Sequence, residues 1–488
     1  MKQQLRCIVL CVIVLIVDSH GALTDKIDPV TLDVIPEEQD MLYNRAPDPL
    51  PWIPPEMLET SYWIGKMEKP DEIILFLDKI ERMNKAYEEE IHSPYPFNDV
   101  SNELKPNLIH WWPGFSLAVW DFYSMDSRAV ADSVKNRIKD EIAYLRKQEY
   151  ANVQAVKYSA KQIDDFEKEM AFEQIQDRVT PRAGITVRTS RLRNVPSFLP
   201  EQFGMTQAGK MRWDMWNIGV VKIGKPLTIL HLSKSGEYTF VLCENGYGWL
   251  RSEDIALGTK KEIDNFVNTS DFIVCTGDRV QFYTDESCTC ASGWFGMSAK
   301  LPLASKSNPR MIKVPVRRMN GQFTTETAWV KNDNNVHVGW LPYTRRNIIE
   351  TAFKLLGNPY DWSGAWFGRQ HESTYRDIFG CFGFNLPIHG SLFCLYGNCT
   401  KVLHPEMGKE IYYREILNNE PFVTIQSCGG HCQLFIGEHN GNPIVFDQHG
   451  YNYEGEDGKT YEVRRCNIGD LRLPIYFLKR DVTFLILK

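Results

Sequence analysis

The sequence predicts a multi-domain chain: a mostly helical N-terminal part, two all-β segments, and a C-terminal α+β domain. Three observations predict it. Val130, Val134, Ile138, Ile142 and Leu145 repeat at helical spacing. Leu227, Ile229 and His231 alternate into a Ser235-Gly236 turn, and Tyr238, Phe240 and Leu242 alternate out of it, which marks a hairpin. A Gly-Trp-Leu ending at Gly248 recurs at Gly339, one β segment later. The 488 residues leave room for about three or four domains.

Lys2 and Arg6 precede an apolar run from Cys7 to Val17, then small residues near Gly21-Ala22, so residues 1–22 read as a signal peptide and the protein as secreted. No later run is long enough for a membrane span. Residues 23–55 end in Pro49, Pro51, Pro54 and Pro55 and read as an extended leader. The helical domain takes residues 56–185, with Ile73, Ile74, Phe76, Leu77 and Ile80 on one face of a helix begun by Pro70-Asp71. The β segments take 186–262 and 263–343. Thr344 then caps a helix striped by Ile348, Ile349, Ala352, Phe353 and Leu356, opening the last domain, 344–488.

A net charge of −7, with 24% of residues charged, gives no basic footprint, which excludes nucleic acid as a partner class. Cys7 and Cys11 leave with the signal segment, and the ten cysteines that remain all lie from Cys243 onward. An even number in a secreted chain predicts disulfides of unknown connectivity. The sequons at Asn268 and Asn398 predict a glycoprotein.

The stretch Leu356–Pro387 resembles the signature of the NlpC family of cell-wall cysteine peptidases. In that family a Tyr-Gly-Trp-Gly-Gly lead-in runs to Arg-Asp-Cys-Ser, whose cysteine opens a helix. Here Tyr360, Asp361, Trp362, Ser363 and Gly364 match the lead-in, and Arg376, Asp377, Phe382, Gly383, Leu386 and Pro387 match the far side. Without a gap, Arg-Asp-Cys-Ser becomes Arg369-Gln370-His371-Glu372. The resemblance implies a papain-like α+β domain at 344–488 and SH3-like barrels at 186–262 and 263–343, of the bacterial type that often binds cell-wall glycopeptide. The region around Trp63 to Asn84 resembles the family's helical stabilising domain; its alternative is a plain helical spacer.

The family's second landmark is a Gly-His opening a strand, where the histidine is the general base. Gly430-His431 fits it, and counting through the hairpin puts Asp447 at the place of the residue that orients the base. The resemblance therefore implies a remnant site of His371, His431 and Asp447, with Tyr360, Trp362, Gln370 and Glu372 around the substrate peptide. A cysteine at a helix start is a thiolate and a strong nucleophile; imidazole does not replace it. Cys432, Cys381 and Ser373 are the nearest substitutes, and each is expected to be core, disulfide or cap.

The chain is thus expected to be a pseudoenzyme with no cofactor, binding peptidoglycan stem peptides, muropeptides or a protein partner. Two alternatives stay open. One is a γ-D-glutamyl endopeptidase with a rebuilt site, whose metal-assisted form uses His371, His431 and Asp447. The other is an extracellular structural component.

Overall fold

The computed structural model describes residues 49–91, 118–147, 150–152, 156–197, 201–203, 214–396, 398–428, 431–450, 452–473 and 477–488. The signal segment 1–22 and most of the leader lie outside the described residues. Among the described residues, no helix is long and apolar enough to cross a membrane.

The N-terminal helices do not share one core, which corrects the single domain expected at 56–185. Helix α1 (Thr60–Ile64) and α2 (Leu77–Ile91) send Trp63, Ile80 and Tyr87 into the core of the C-terminal domain, with Ile348, Phe379 and Leu434. Helix α3 (Ser127–Lys147) instead packs Val130, Val134, Ile138 and Leu145 against Leu230, Phe240 and Trp249 of the first β unit. Helix α4 (Ala160–Glu169) begins on a Ser159–Gln162 capping box and covers the same unit. Helix α2 also starts later than the apolar pattern suggests. Ile73 bridges Thr344, and the Ile74 N–H donates to the Tyr343 carbonyl at 2.9 Å, so tertiary strand-like pairing overrides the local helical spacing. Phe76 is left exposed.

The first β unit is a seven-stranded sheet spanning Arg182–Thr186 to Ile255–Gly258, and its Pro226–Leu232 and Tyr238–Cys243 strands form the expected hairpin. After helix α5 (Lys260–Val267) come two further sheets of three and four strands, separate from the first. The recurrent Gly-Trp-Leu does not recur in structure. Gly248-Trp249-Leu250 lies within the strand Gly246–Arg251, whereas Gly339-Trp340-Leu341 follows a strand end, and the Leu341 N–H donates to the Cys381 carbonyl.

The C-terminal domain sets helix α6 (Arg345–Phe353), helix α7 (His371–Gly380) and helix α8 (Lys409–Leu417) on a six-stranded antiparallel sheet. The Tyr375 hydroxyl of α7 donates to the Phe446 carbonyl at 2.8 Å and accepts from the Leu434 N–H at 3.2 Å, pinning the helix across two adjacent strands. Asn84 of α2 ties in from the other side, bonding the Gly383 carbonyl and the Asn385 N–H, each at 2.8 Å.

The three units meet on one buried ionic chain. Asp377 of α7 receives Lys222 from the first β unit and Arg369 Nε at 2.7 Å, while Arg369 reaches Asp278 of the second β unit. Burial alone would raise the Asp377 carboxyl, but Lys222 and Arg369 hold it below its ordinary value. Its stabilisation is therefore present above pH 3.8 and is lost as the pH falls through the lowered folded value.

Asp377→Asn leaves two buried cations short of a carboxylate and is expected to cost about 3–5 kcal/mol. Calorimetry should record an earlier transition whose acid sensitivity is reduced. Arg346→Ala, at the exposed bidentate pair with Asp71, should leave that transition nearly unmoved.

Candidate functional site

The lead-in loop is held by both β units. Its Tyr360 and Arg369 form a parallel bridge, and the Asp361 carboxylate accepts the N–H groups of Trp366 (2.7 Å) and Gly368 (2.8 Å). Asn217 donates to the Ser363 carbonyl, Arg191 to that of Ala365 and Arg279 to that of Phe367. Gly364 has φ +72°, and a Cβ there would lie 2.3 Å from Val220, so glycine lets the first β unit close on the loop. Gln370 is the N-cap of α7, its N–H bonded to Ser373 Oγ at 2.9 Å. Ser373 is thus a cap.

His371 is the first residue of α7 and is buried. Its ring centre stands 4.8 Å from that of His431, at the start of the strand His431–His439, and its other side stacks on Tyr360. His431 Nε2 lies 3.2 and 3.3 Å from the two oxygens of Asp447 on the neighbouring strand Asn442–Gln448. The structure brings His371, His431 and Asp447 together as the sequence places them. Gly430 lies outside the described residues.

Sequence reasoning missed three neighbours. His449 stands 4.9 Å from His431 between ring centres and stacks on Tyr453 at 3.9 Å. Gln433 Nε2 (2.7 Å) and the Tyr453 hydroxyl both donate to Asp447 Oδ2. The signal for His449 was available: it lies two residues past Asp447, the spacing that returns a side chain to the same face of a strand. Tyr453 comes from a separate short hairpin and left no such trace.

The electrostatics follow from burial and pairing. Burial would raise Asp447, but His431, then His449 and Gln433, hold it below its ordinary value. Burial pushes His449 well down, and His431 adds to the effect, so its imidazole is neutral at pH 7. Glu372 is buried too; His371 Nε2 sits 2.9 Å from its carboxylate, and His371 with His389 overcomes desolvation to bring it to about 2.

That position corrects the role expected for Glu372. Its carboxylate faces His371 and the Gly390 N–H inside the domain, so it offers nothing to a substrate amine. Gln370 and Ser363 do line a cleft of about 570 Å³ between the two β units and α7, with Lys222, Lys300, Arg279 and Arg376 on its walls. Tyr360, half-buried Trp362 and the histidines stand outside those walls.

The described thiols offer no replacement nucleophile. Cys432 is buried with Leu434 and Ile436 in the core, and burial raises its thiol far above the usual range. Cys381 donates to the carbonyls of Asp377 and Cys275, and burial pushes it up to about 12. The disulfides expected from the even cysteine number are absent among the described cysteines. Cys243, Cys275, Cys381, Cys428, Cys432 and Cys466 are buried free thiols, while Cys288 and Cys290 are free near the surface.

Residues 205–251 match the SH3 domain of SH3b1 type. An NlpC/P60 endopeptidase from Photobacterium damselae subsp. piscicida superimposes with a TM-score of 0.62 at 16% identity, covering 88% of this chain and 96% of that one. NlpC2 from Trichomonas vaginalis aligns over 60% of this chain and 95% of its own at 9% identity, with a TM-score of 0.23, too loosely to inform the site. No curated protein matches. The chain thus has the multi-domain fold of an NlpC/P60 endopeptidase, with an SH3-type barrel ahead of the peptidase-like domain.

Asp361 supplies a test of the lead-in. Burial raises its carboxyl to about 6, against the pull of the two N–H donors. A raised carboxyl favours folding fully below its ordinary 3.8, and that contribution is lost as the pH rises through about 6. Asp361→Asn, which keeps an acceptor oxygen, should remove this part of the pH dependence from calorimetric transitions measured across that window.

Proposed function

We propose that this chain is a secreted, catalytically silent relative in form of the cell-wall peptidases, binding stem peptides of bacterial peptidoglycan rather than cutting them. The observation that carries the reading is His371. It occupies the first turn of α7 opposite His431, where the related enzymes need sulfur, and the buried thiols nearby are held protonated. A neutral or cationic imidazole forms no stable acyl intermediate with an amide, so base and orienter remain without a nucleophile to activate.

The cleft beside α7 is the proposed seat of the peptide. Its walls carry Lys225, Arg279, Lys300 and Arg376 beside the paired Lys222 and Arg369, against Glu88, Glu244, Asp278 and Asp377, a small excess of cations for a peptide carboxylate, while Gln370 stands where the resembling enzymes carry an acid for the peptide's amine. Binding without that charge is expected to be weaker and to rest on the carboxylate end of the ligand. The SH3-type match at 205–251, in the first β unit beside the cleft, supports a role at cell-wall material.

Calorimetric titration of the full chain with defined stem tripeptides should give saturable binding. Lys300→Ala should weaken it by about tenfold, near 1.4 kcal/mol. Failure to bind any stem peptide would sink the proposal. The wild type should show no hydrolysis sensitive to iodoacetamide. His371→Cys restores a thiol at a helix start, yet turnover should stay about a hundredfold below that of the triple change with Gln370→Asp and Glu372→Ser, because the substrate is misplaced. Thiol-dependent cleavage by the wild type would overturn the pseudoenzyme reading.

A further inference from the structure

His449, which sequence reasoning missed, joins His431 and Asp447 in a cluster with its own chemistry. We propose that His431, Asp447 and His449 form a binding site for one divalent first-row cation, with zinc the best fit to the donor set. Two imidazoles and a carboxylate are donors that zinc takes readily, while magnesium and calcium prefer all-oxygen shells.

The geometry supports it in three ways. One donor atom from each of the three residues falls within 4.8 Å of the other two. His431 Nε2 and the Asp447 oxygens, at 3.2 and 3.3 Å, already have the spacing of adjacent ligands on a tetrahedral ion with bonds of about 2.0–2.1 Å.

The second support is the uneven treatment of Asp447. Gln433 and Tyr453 both donate to Oδ2, and His431 Nε2 lies 3.3 Å from it. Oδ1 is buried and accepts no hydrogen bond among the described residues; its near contact is the His431 ring nitrogen. A buried carboxylate oxygen without a donor costs free energy, and a cation lodged between the two histidines removes that cost.

The third support is the surrounding shell. Gln433 and Tyr453 fix the carboxylate, and the Tyr453 ring lies flat on His449, so the donors are held in place before any ion arrives. His371 is not in the set: the donor atoms that cluster within 4.8 Å are those of His431, Asp447 and His449. With three protein donors, the ion keeps one position for an oxygen from outside the chain. The competing account is a plain orienting pair, Asp447 holding His431, in which His449 is packing and no ion binds. The inference stands whether or not the neighbouring cleft binds peptide.

The test uses the full chain, stripped with a chelator and dialysed free of it. Titration with zinc chloride, checked by elemental analysis, should give a single zinc per chain and a higher unfolding temperature. Cobalt(II) in its place should show the intense visible bands of tetrahedral coordination. His449→Ala and Asp447→Asn should each weaken zinc binding by about a hundredfold or more, while His404→Ala, in a partly exposed pair with Asp481, should leave it unchanged. If His449→Ala fails to fold by circular dichroism, the nearly isosteric Asp447→Asn decides. Absence of stoichiometric binding overturns the proposal. So does zinc bound equally well by both site variants.

Discussion

The contact on which the molecule depends is the buried chain Lys222–Asp377–Arg369–Asp278. It joins a residue from each β unit to two from the peptidase-like domain, one just ahead of α7 and one within it. Burying four charges together is favourable only when each is answered, so the chain fixes the relative placement of three units more strictly than apolar contact would. Its location is functional. Arg369 stands two residues before His371, so the start of α7 is set by both β units. The carbonyls of Ser363, Ala365 and Phe367 are tied to the same units by Asn217, Arg191 and Arg279. In this view the two β units form part of the wall and scaffold of the site.

Given that scaffold, the proposed change in chemistry rests on three side chains at the start of α7, Gln370, His371 and Glu372, and leaves the frame unchanged. The Tyr375 hydroxyl still spans the strands that carry His431 and Asp447, and Asn84 still clamps the far end of α7. What differs is the content of the first turn. An imidazole stands at its first position, a carboxylate follows it into the interior, and an amide caps it. The site holds two acid–base pairs, His371 with Glu372 and His431 with Asp447.

Local patterns carried much of this. The Pro226–Leu232 and Tyr238–Cys243 hairpin followed from alternation about a turn, and α3 from its apolar repeat. His371, His431 and Asp447 came from the resemblance to the NlpC motifs, carried along a helix start and a strand hairpin that transmit spacing faithfully. Tertiary competition hid the rest. Ile73 and Ile74 carry a helical pattern but pair with residues 343–344, so α2 starts late. The helical region divides between two cores because its two faces meet different sheets. Glu372 looked available two residues from Gln370, yet its position on α7 turns it inward. Counted, the cysteines suggest staples, yet six of the eight described ones are buried free thiols within the packing. Tyr453 joins the site from a separate hairpin, which no linear spacing encodes.

The central claim, that no thiol has taken over the nucleophile's place, is tested most directly by residue-resolved alkylation of the native wild-type protein with iodoacetamide, read by mass spectrometry. Cys288 and Cys290 should react first, Cys381, Cys428 and Cys432 should stay protected, and no rate should change with His431→Ala. A rapidly alkylated cysteine anywhere in the chain, Cys394 and Cys399 included, whose rate collapses in the His431→Ala variant would contradict the account.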